Sequence, residues 1–154
     1  MAKRNPENLY QTVNFHFRVG FRLGTETFDM RFQSVTGLDA TLETESIREG
    51  GENRYEHVVP VRRKYGPLVL KRGLLSPTES GLTSWFKEAF DDEKVTPIPD
   101  VDIMLLNEES QPLMYWTINN VWPRSWKIGE LNAERGEVLI ETLELNYNRL
   151  LFHE

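Results

Sequence analysis

Alternation with a period of two constrains this chain more than any other feature of its sequence. Val13, Phe15, Phe17 and Val19 alternate with Asn14, His16 and Arg18, and Phe28, Met30 and Phe32 alternate with Asp29, Arg31 and Gln33. Successive side chains of a strand point to opposite faces, so runs of this kind bury one face and wet the other. Two opening strands follow, joined around Gly24. Beyond Leu42, the run to Arg48 is polar on both faces apart from Ile47, and it leads through Glu49, Gly50, Gly51, Glu52 and Asn53 into residues 55–59. That reads as a hairpin protruding around 42–59 with poorly buried arms. Runs 68–74, 101–106, 113–121 and 138–147 complete the strands, and a short polar turn at 107–111 links the middle pair. In the last run Val138 and Ile140 share one parity while Leu143, Leu145 and Tyr147 share the other, which predicts a β-bulge near Glu141 and Thr142.

One segment departs from this period. Leu82, Trp85, Phe86, Ala89 and Phe90 recur at three and four residues, the apolar stripe of a helix, with Leu82, Trp85, Phe86 and Phe90 as its expected core anchors. Ser76, Pro77, Thr78 and Glu79 spell a capping box with proline in the first turn, and Gly81 interrupts the start. A helix with one apolar stripe must bury it against a sheet. The expected fold is therefore mainly β: a β-barrel of two packed antiparallel sheets with one flanking α-helix. At 154 residues, without repeats, low-complexity tracts or a linker, residues 1–154 are read as a single domain.

Composition then narrows the function classes. Eighteen Lys and Arg against 24 Asp and Glu give a net charge of −6, which disfavours a scaffold for gripping a phosphate backbone. The absence of cysteine excludes disulfide frameworks, thiolate catalysis and cysteine-type zinc sites. His16, His57 and His153 have no partner at metal-ligand spacing, and no P-loop, GxSxG elbow or GxGxxG fingerprint occurs, so neither enzymatic activity nor a cofactor or metal is expected. Carboxylates at Glu43 and Glu45, at 91–93 and at Glu108 and Glu109 read as solvated charge rather than acid–base pairs. Arg62, Arg63, Lys64, Lys71 and Arg72 form the one basic concentration; strand-edge charges meeting carboxylates of a neighbouring subunit account for it better than a nucleic-acid groove. Residues 1–8 lack an apolar core of the secretory kind, and no stretch approaches the roughly 18 apolar residues of a membrane span, so cytoplasmic assembly without a Sec signal and no membrane contact are expected.

Six blocks carry a family resemblance: FQSVTGL at 32–38, IREGG at 47–51, KYGPLVLKRGL at 64–74, LTSW at 82–85, WTINNVWP at 116–123 and LNAERGEVLIETLELNY at 131–147. Together they resemble the phage tail tube family, which includes the inner-tube proteins of extracellular contractile injection systems. The resemblance implies a structural protein whose hexameric rings stack into a hollow tube inside a contractile sheath, in a phage tail or an injection particle. Its implied partners are further copies of itself, neighbouring tube or baseplate hub proteins, the sheath, and cargo or DNA passing through the lumen, without sequence-specific nucleic-acid binding. The hairpin residues Arg48, Glu49, Gly50, Gly51, Glu52, Asn53 and Arg54 fall where the family makes inter-ring contacts. Two roles are open within the family, the repeated tube subunit and the tube initiator that forms the first ring on the baseplate. VNFHFRV at 13–19 and EGGENRYEH at 49–57 resemble the initiator type, while Val59, Pro60, Val61, Arg62 and Arg63 stand where the usual tube sequence has Leu-Pro-Gly before its basic strand. Two rivals come from other classes: a monomeric β-barrel holding a small ligand between Trp116, Trp122 and Trp126, and a hydrolase using scattered carboxylates.

Overall fold

The computed structural model describes residues 16–23, 26–30, 32–48, 50–51, 56–74 and 80–153. The alternating runs become β1 (His16–Leu23), β2 (Glu26–Met30), β3 (Ser34–Thr36), β4 (Ala40–Ile47), β5 (His57–Tyr65) and β6 (Leu68–Gly73). After the helix α1 (Gly81–Asp91) come β7 (Ile98–Leu106), β8 (Pro112–Ile128), β9 (Ile140–Asn146) and β10 (Arg149–His153). All pairings among them are antiparallel.

The organising element is β8, whose 17 residues far exceed the usual strand length of about five or six. Its first half lies between β7 and β10, with Ile118 facing Val101 on one side and Leu150 on the other. Its second half pairs with β9, where Trp126 faces Leu143. One strand thus serves two sheets, β2-β1-β7-β8-β10 and β8-β9-β6-β3, by bending between them. The bend combines Asn120, at φ 52°, with a register shift between Pro123 and Ser125. Asparagine enters the left-handed region more readily than other side-chain-bearing residues, and proline is tolerated at bulges. β9 and β10 follow β8 as one interrupted strand: Asn146 faces Trp122, Arg149 faces Asn119, and between them the Asn148 N–H donates to the Asn119 carbonyl at 2.9 Å.

The core lies between the two sheets. Val19, Phe21, Val101, Ile103, Ile118 and Val121 come from the first, Leu68, Leu70, Leu143 and Leu145 from the second, and Leu82, Trp85 and Phe86 from the helix. Phe86 meets Trp126 at 6.5 Å between ring centroids, so α1 lays its apolar stripe against the second half of β8. Among the described residues the strand path stays open, ending on β2 and β3, rather than closing into a complete barrel.

Four local expectations are corrected. The strand predicted to end at Val121 runs on to Ile128, and β3 and β10 are strands the periodicity did not disclose, being only three and five residues long. No bulge interrupts β9, because its inward row is Glu141, Leu143, Leu145 and then Tyr147, while Val138 lies outside the strand and is exposed. The bulge sits across the ladder in β8. The helix is capped by Ser80, whose side chain accepts from the Thr83 N–H at 3.3 Å; the predicted box at 76–79 lies outside the described residues. Phe90 is 46% exposed rather than a core anchor, since in the last turn of the helix it stands half in solvent, its ring 6.2 Å from that of Phe86.

Candidate functional site

The hairpin β4–β5 is a two-stranded sheet of its own, yet it is not detached in register. Thr36 faces Val69 and Ala40 faces Tyr65, so β3 continues into β4 and β6 into β5 without a slip across the break. Gly37 makes the break possible. Its φ is +93°, and a Cβ there would stand 2.0 Å from the Pro67 carbonyl oxygen, so only glycine fits. Beyond the break the arms are exposed on both faces apart from half-buried Glu43 and Tyr65, and they present Leu42, Val58 and Val61 at 58%, 61% and 55%. A two-stranded ribbon with no buried face is marginal in water, so this one needs a partner surface to be rigid.

Charges brace it from within. Glu43 takes Arg62 at 2.8 Å and Lys64 at 3.9 Å, and Arg48 meets Glu56 at 2.6 Å. The first two basic residues therefore find their carboxylate in their own hairpin, where a neighbouring subunit was expected to supply it. Gly51 turns the tip with φ +96°, beside Gly50. Glu49, Glu52, Asn53 and Arg54 lie outside the described residues.

Arg72 is not part of any exposed basic patch. It is 3% exposed and faces Glu141, at 0%, directly across β6 and β9. The Arg72 Nε–H donates to Glu141 Oε2 at 2.9 Å, and its terminal nitrogen donates to Ser80 Oγ at 3.0 Å and Thr83 Oγ1 at 2.6 Å. The Trp126 indole N–H donates to the other carboxylate oxygen at 2.7 Å, and the guanidinium lies 5.2 Å from the Phe32 ring centroid. A buried ion pair is tolerable only when its remaining hydrogen-bonding capacity is met, and no buried side-chain polar atom among the described residues lacks a partner. The cluster is a structural lock between helix cap and sheet. Its sequence signal was parity: Arg72 is in phase with Leu68 and Leu70, and Glu141 with Leu143 and Leu145.

The remaining sequence candidates are dispersed. His16 Nε2 lies 3.0 Å from Ser110 Oγ, and His153 stacks on Tyr115 at 4.4 Å. Among the described residues no group of three His, Asp or Glu is placed to hold a metal. Trp116, Trp122 and Trp126 do not converge on one pocket. Trp116 and Trp126 pack against the core from opposite halves of β8, whereas Trp122 shares its face with Asn146, away from the Leu143 and Leu145 side that Trp126 joins after the bulge. The hollow of about 490 Å³ at residues 129–140 is lined by none of them. Tyr147, donating weakly to the Gly37 carbonyl at 3.4 Å, has its phenol pushed up to about 12 by burial, with Asp39 and Tyr65 adding to the shift.

The described residues thus form a bent two-sheet sandwich with one helix packed against it and an unsupported hairpin. The profile of the family described as T4-like virus tail tube protein gp19 matches residues 13–151. The chain belongs to that tail tube family. Among solved structures, a chain of the anti-feeding prophage (AFP) baseplate, six-fold symmetrised, is 38% identical over 89% of this chain and 91% of its own, with a TM-score of 0.80. A chain of the AFP tube-terminating cap is 25% identical over 99% of both chains at a TM-score of 0.78. A chain from the sheath–tube complex of the PVC extracellular contractile injection system shares the fold at 0.77, with 23% identity over 95% of this chain and 93% of its own. No curated protein sequence matches. As a member of the family, the chain is a structural protein of the tail tube type found in contractile injection systems.

Proposed function

We propose that this tail tube protein assembles into hexameric rings of the inner tube of a contractile injection system or contractile tail, and that its ring is the one seated at the baseplate. The observation that carries the reading is the 38% identity, over nearly the full length of both chains, to a component of a six-fold symmetrised baseplate. The fold supplies a physical reason for assembly. Edge strands present unpaired N–H and C=O groups, and copies arranged in a ring satisfy them by pairing edge to edge. The hairpin supplies the second contact: Arg48, Glu49, Gly50, Gly51, Glu52, Asn53 and Arg54 reach the neighbouring ring, where their charges set register once partly desolvated. The role is mechanical rather than catalytic. The ring's neighbours are tube or baseplate hub proteins and the sheath, with cargo passing through the lumen. Assembly takes place in the cytoplasm, before the particle is released.

Negative-stain microscopy of the purified protein tests this. Six-fold rings that do not extend alone into long tubes are the expected result; long tubes would assign the repeated subunit instead, and a strict monomer at high concentration would defeat the reading. Replacing residues 49–53 with an Asn-Gly turn is expected to leave a folded, β-rich subunit that no longer stacks on its neighbouring ring. Normal stacking by that variant would remove the hairpin from the interface.

A further inference from the structure

The apolar side chains that the subunit leaves in water gather at the two ends of its second sheet. β6 pairs with β9 from Leu68 facing Leu145 to Gly73 facing Ile140. The hairpin feeds into Leu68 and so leaves at one end, whereas the β8–β9 loop returns into Ile140 at the other. Of the twelve large hydrophobic residues exposed among the described residues, five are on the hairpin and four, Leu74, Ile128, Leu131 and Val138, are at the loop end. Leu131 and Val138, at 80% and 75%, are the most exposed of the twelve. Each stands two residues beyond the rung where the Gly129 N–H donates to the Ile140 carbonyl at 2.9 Å, so they belong to opposite arms of the loop. The hollow of about 490 Å³ lies between those arms, lined by both side chains together with Ala133, Leu139 and the charged Glu130 and Glu137.

We infer that this hollow is a socket for the hairpin tip of a tube-family subunit in the adjacent ring, an inference that rests on the ring assembly proposed above. The two ends match in shape. Ser46 faces Val58 and Ile47 faces His57, so the last rungs before the tip carry Val58, at 61%, on one face of the ribbon and Ile47, at 48%, on the other. Beyond them Gly50 and Gly51 leave bare backbone. A wedge with an aliphatic side chain on each face, led by two glycines, suits a slot with an aliphatic side chain on each arm. Charge agrees with shape. Across residues 129–140, Glu130, Glu134 and Glu137 outnumber Arg135, and the 83% exposed side chain of Arg48 is held by Glu56 in a solvated pair of the kind that exchanges partners at little cost. A subunit cannot fill its own socket, because hairpin and loop lie at opposite ends of one sheet. Contact between unlike ends is heterologous and repeats in one direction, as stacked rings require. A small molecule is the poorer occupant, since side chains as exposed as Leu131 and Val138 do not enclose a ligand, whereas a protein surface covers both.

The chain has no cysteine, so introduced ones report this contact alone. Gly50 lies outside the left-handed region that Gly51 occupies, and nothing stands within 4 Å of where its side chain would be, so Gly50→Cys marks the tip without strain. Ala133→Cys, at an exposed position, marks the socket. Rings of this chain alone are not expected to grow into long tubes, so oxidation is used to trap the contact between them. The double variant is expected to give disulfide-linked ladders running beyond six subunits on a non-reducing gel, with stacked rings in the microscope. Gly50→Cys alone linking as well as a mixture of the two single variants would mean that tips meet tips, and overturns the socket. A ladder that ends at six, with rings unstacked, places the contact inside the ring and overturns it too. Leu131→Asp combined with Val138→Asp, in the double-cysteine background, is expected to leave rings intact and to cut the linkage by about tenfold or more, with the Ser pair between. Unchanged linkage, or loss of the rings themselves, counts against the socket. Failure of the wild-type chain to form rings defeats the ring reading and this inference together, whereas rings that stay unlinked defeat this one alone.

Discussion

At the scale of single residues, the buried Arg72–Glu141 pair is the most exacting feature of the molecule. Removing one member leaves an uncompensated charge in a site with no access to water, so Glu141→Leu or Arg72→Met alone should cost about 3–5 kcal/mol. The double substitution should recover most of that loss, since no charge is left to desolvate. Urea denaturation of the four proteins checks this as a cycle, and additive losses would mean the pair is not coupled. Tyr147 makes a second prediction. Its phenol ionises near 10 in the unfolded chain and at about 12 in the folded one, so folding favours the neutral form. The associated stability is complete below pH 10 and fades as pH rises toward 12. Tyr147→Phe should remove that alkaline component, as followed by thermal melts across this window.

At the scale of elements, the helix shows how burial ranks residues that look alike in the sequence. Trp85 is 4% exposed, and its indole N–H donates to the Thr96 carbonyl at 2.7 Å, so it packs and hydrogen-bonds at once. Trp85→Ala should cost about 3–5 kcal/mol. Phe90→Ala, one turn further and half in solvent, should cost about 1 kcal/mol or less. Comparable melting shifts for the two would overturn the assignment of the buried stripe. Ser80→Ala removes both the cap and an acceptor for Arg72; a loss above the usual ~1 kcal/mol of a cap is therefore expected in calorimetry.

At the scale of the whole molecule, the relation between sandwich and hairpin depends on Gly37. A side chain there collides with the Pro67 carbonyl and occupies a backbone region that disfavours it, so Gly37→Ala should destabilise the subunit by about 2 kcal/mol or more. The ribbon leaves the sheet at this point, so the same change should also impair ring stacking. Normal stacking by a folded Gly37→Ala protein would separate the hairpin's direction from its attachment.

The β class, the helix with Leu82, Trp85 and Phe86 on its buried side, and the exposed hairpin are legible in the chain's residues alone, because each follows from a local period or from a lack of apolar residues in one segment. Its block motifs carried the family as well. The path of β8 through Pro123 emerges on folding, since a proline is a break in most strands and acceptable in this one where the ladder bulges. The phase of the last strand emerges on folding too. Hydropathy treats Glu141 as outward, and it points inward because Arg72, 69 residues away in sequence, neutralises it. The same long-range pairing moved Arg72 out of the basic patch. A single-sequence pattern weighs each side chain against water, and a charge that meets its partner only after folding is invisible to that balance.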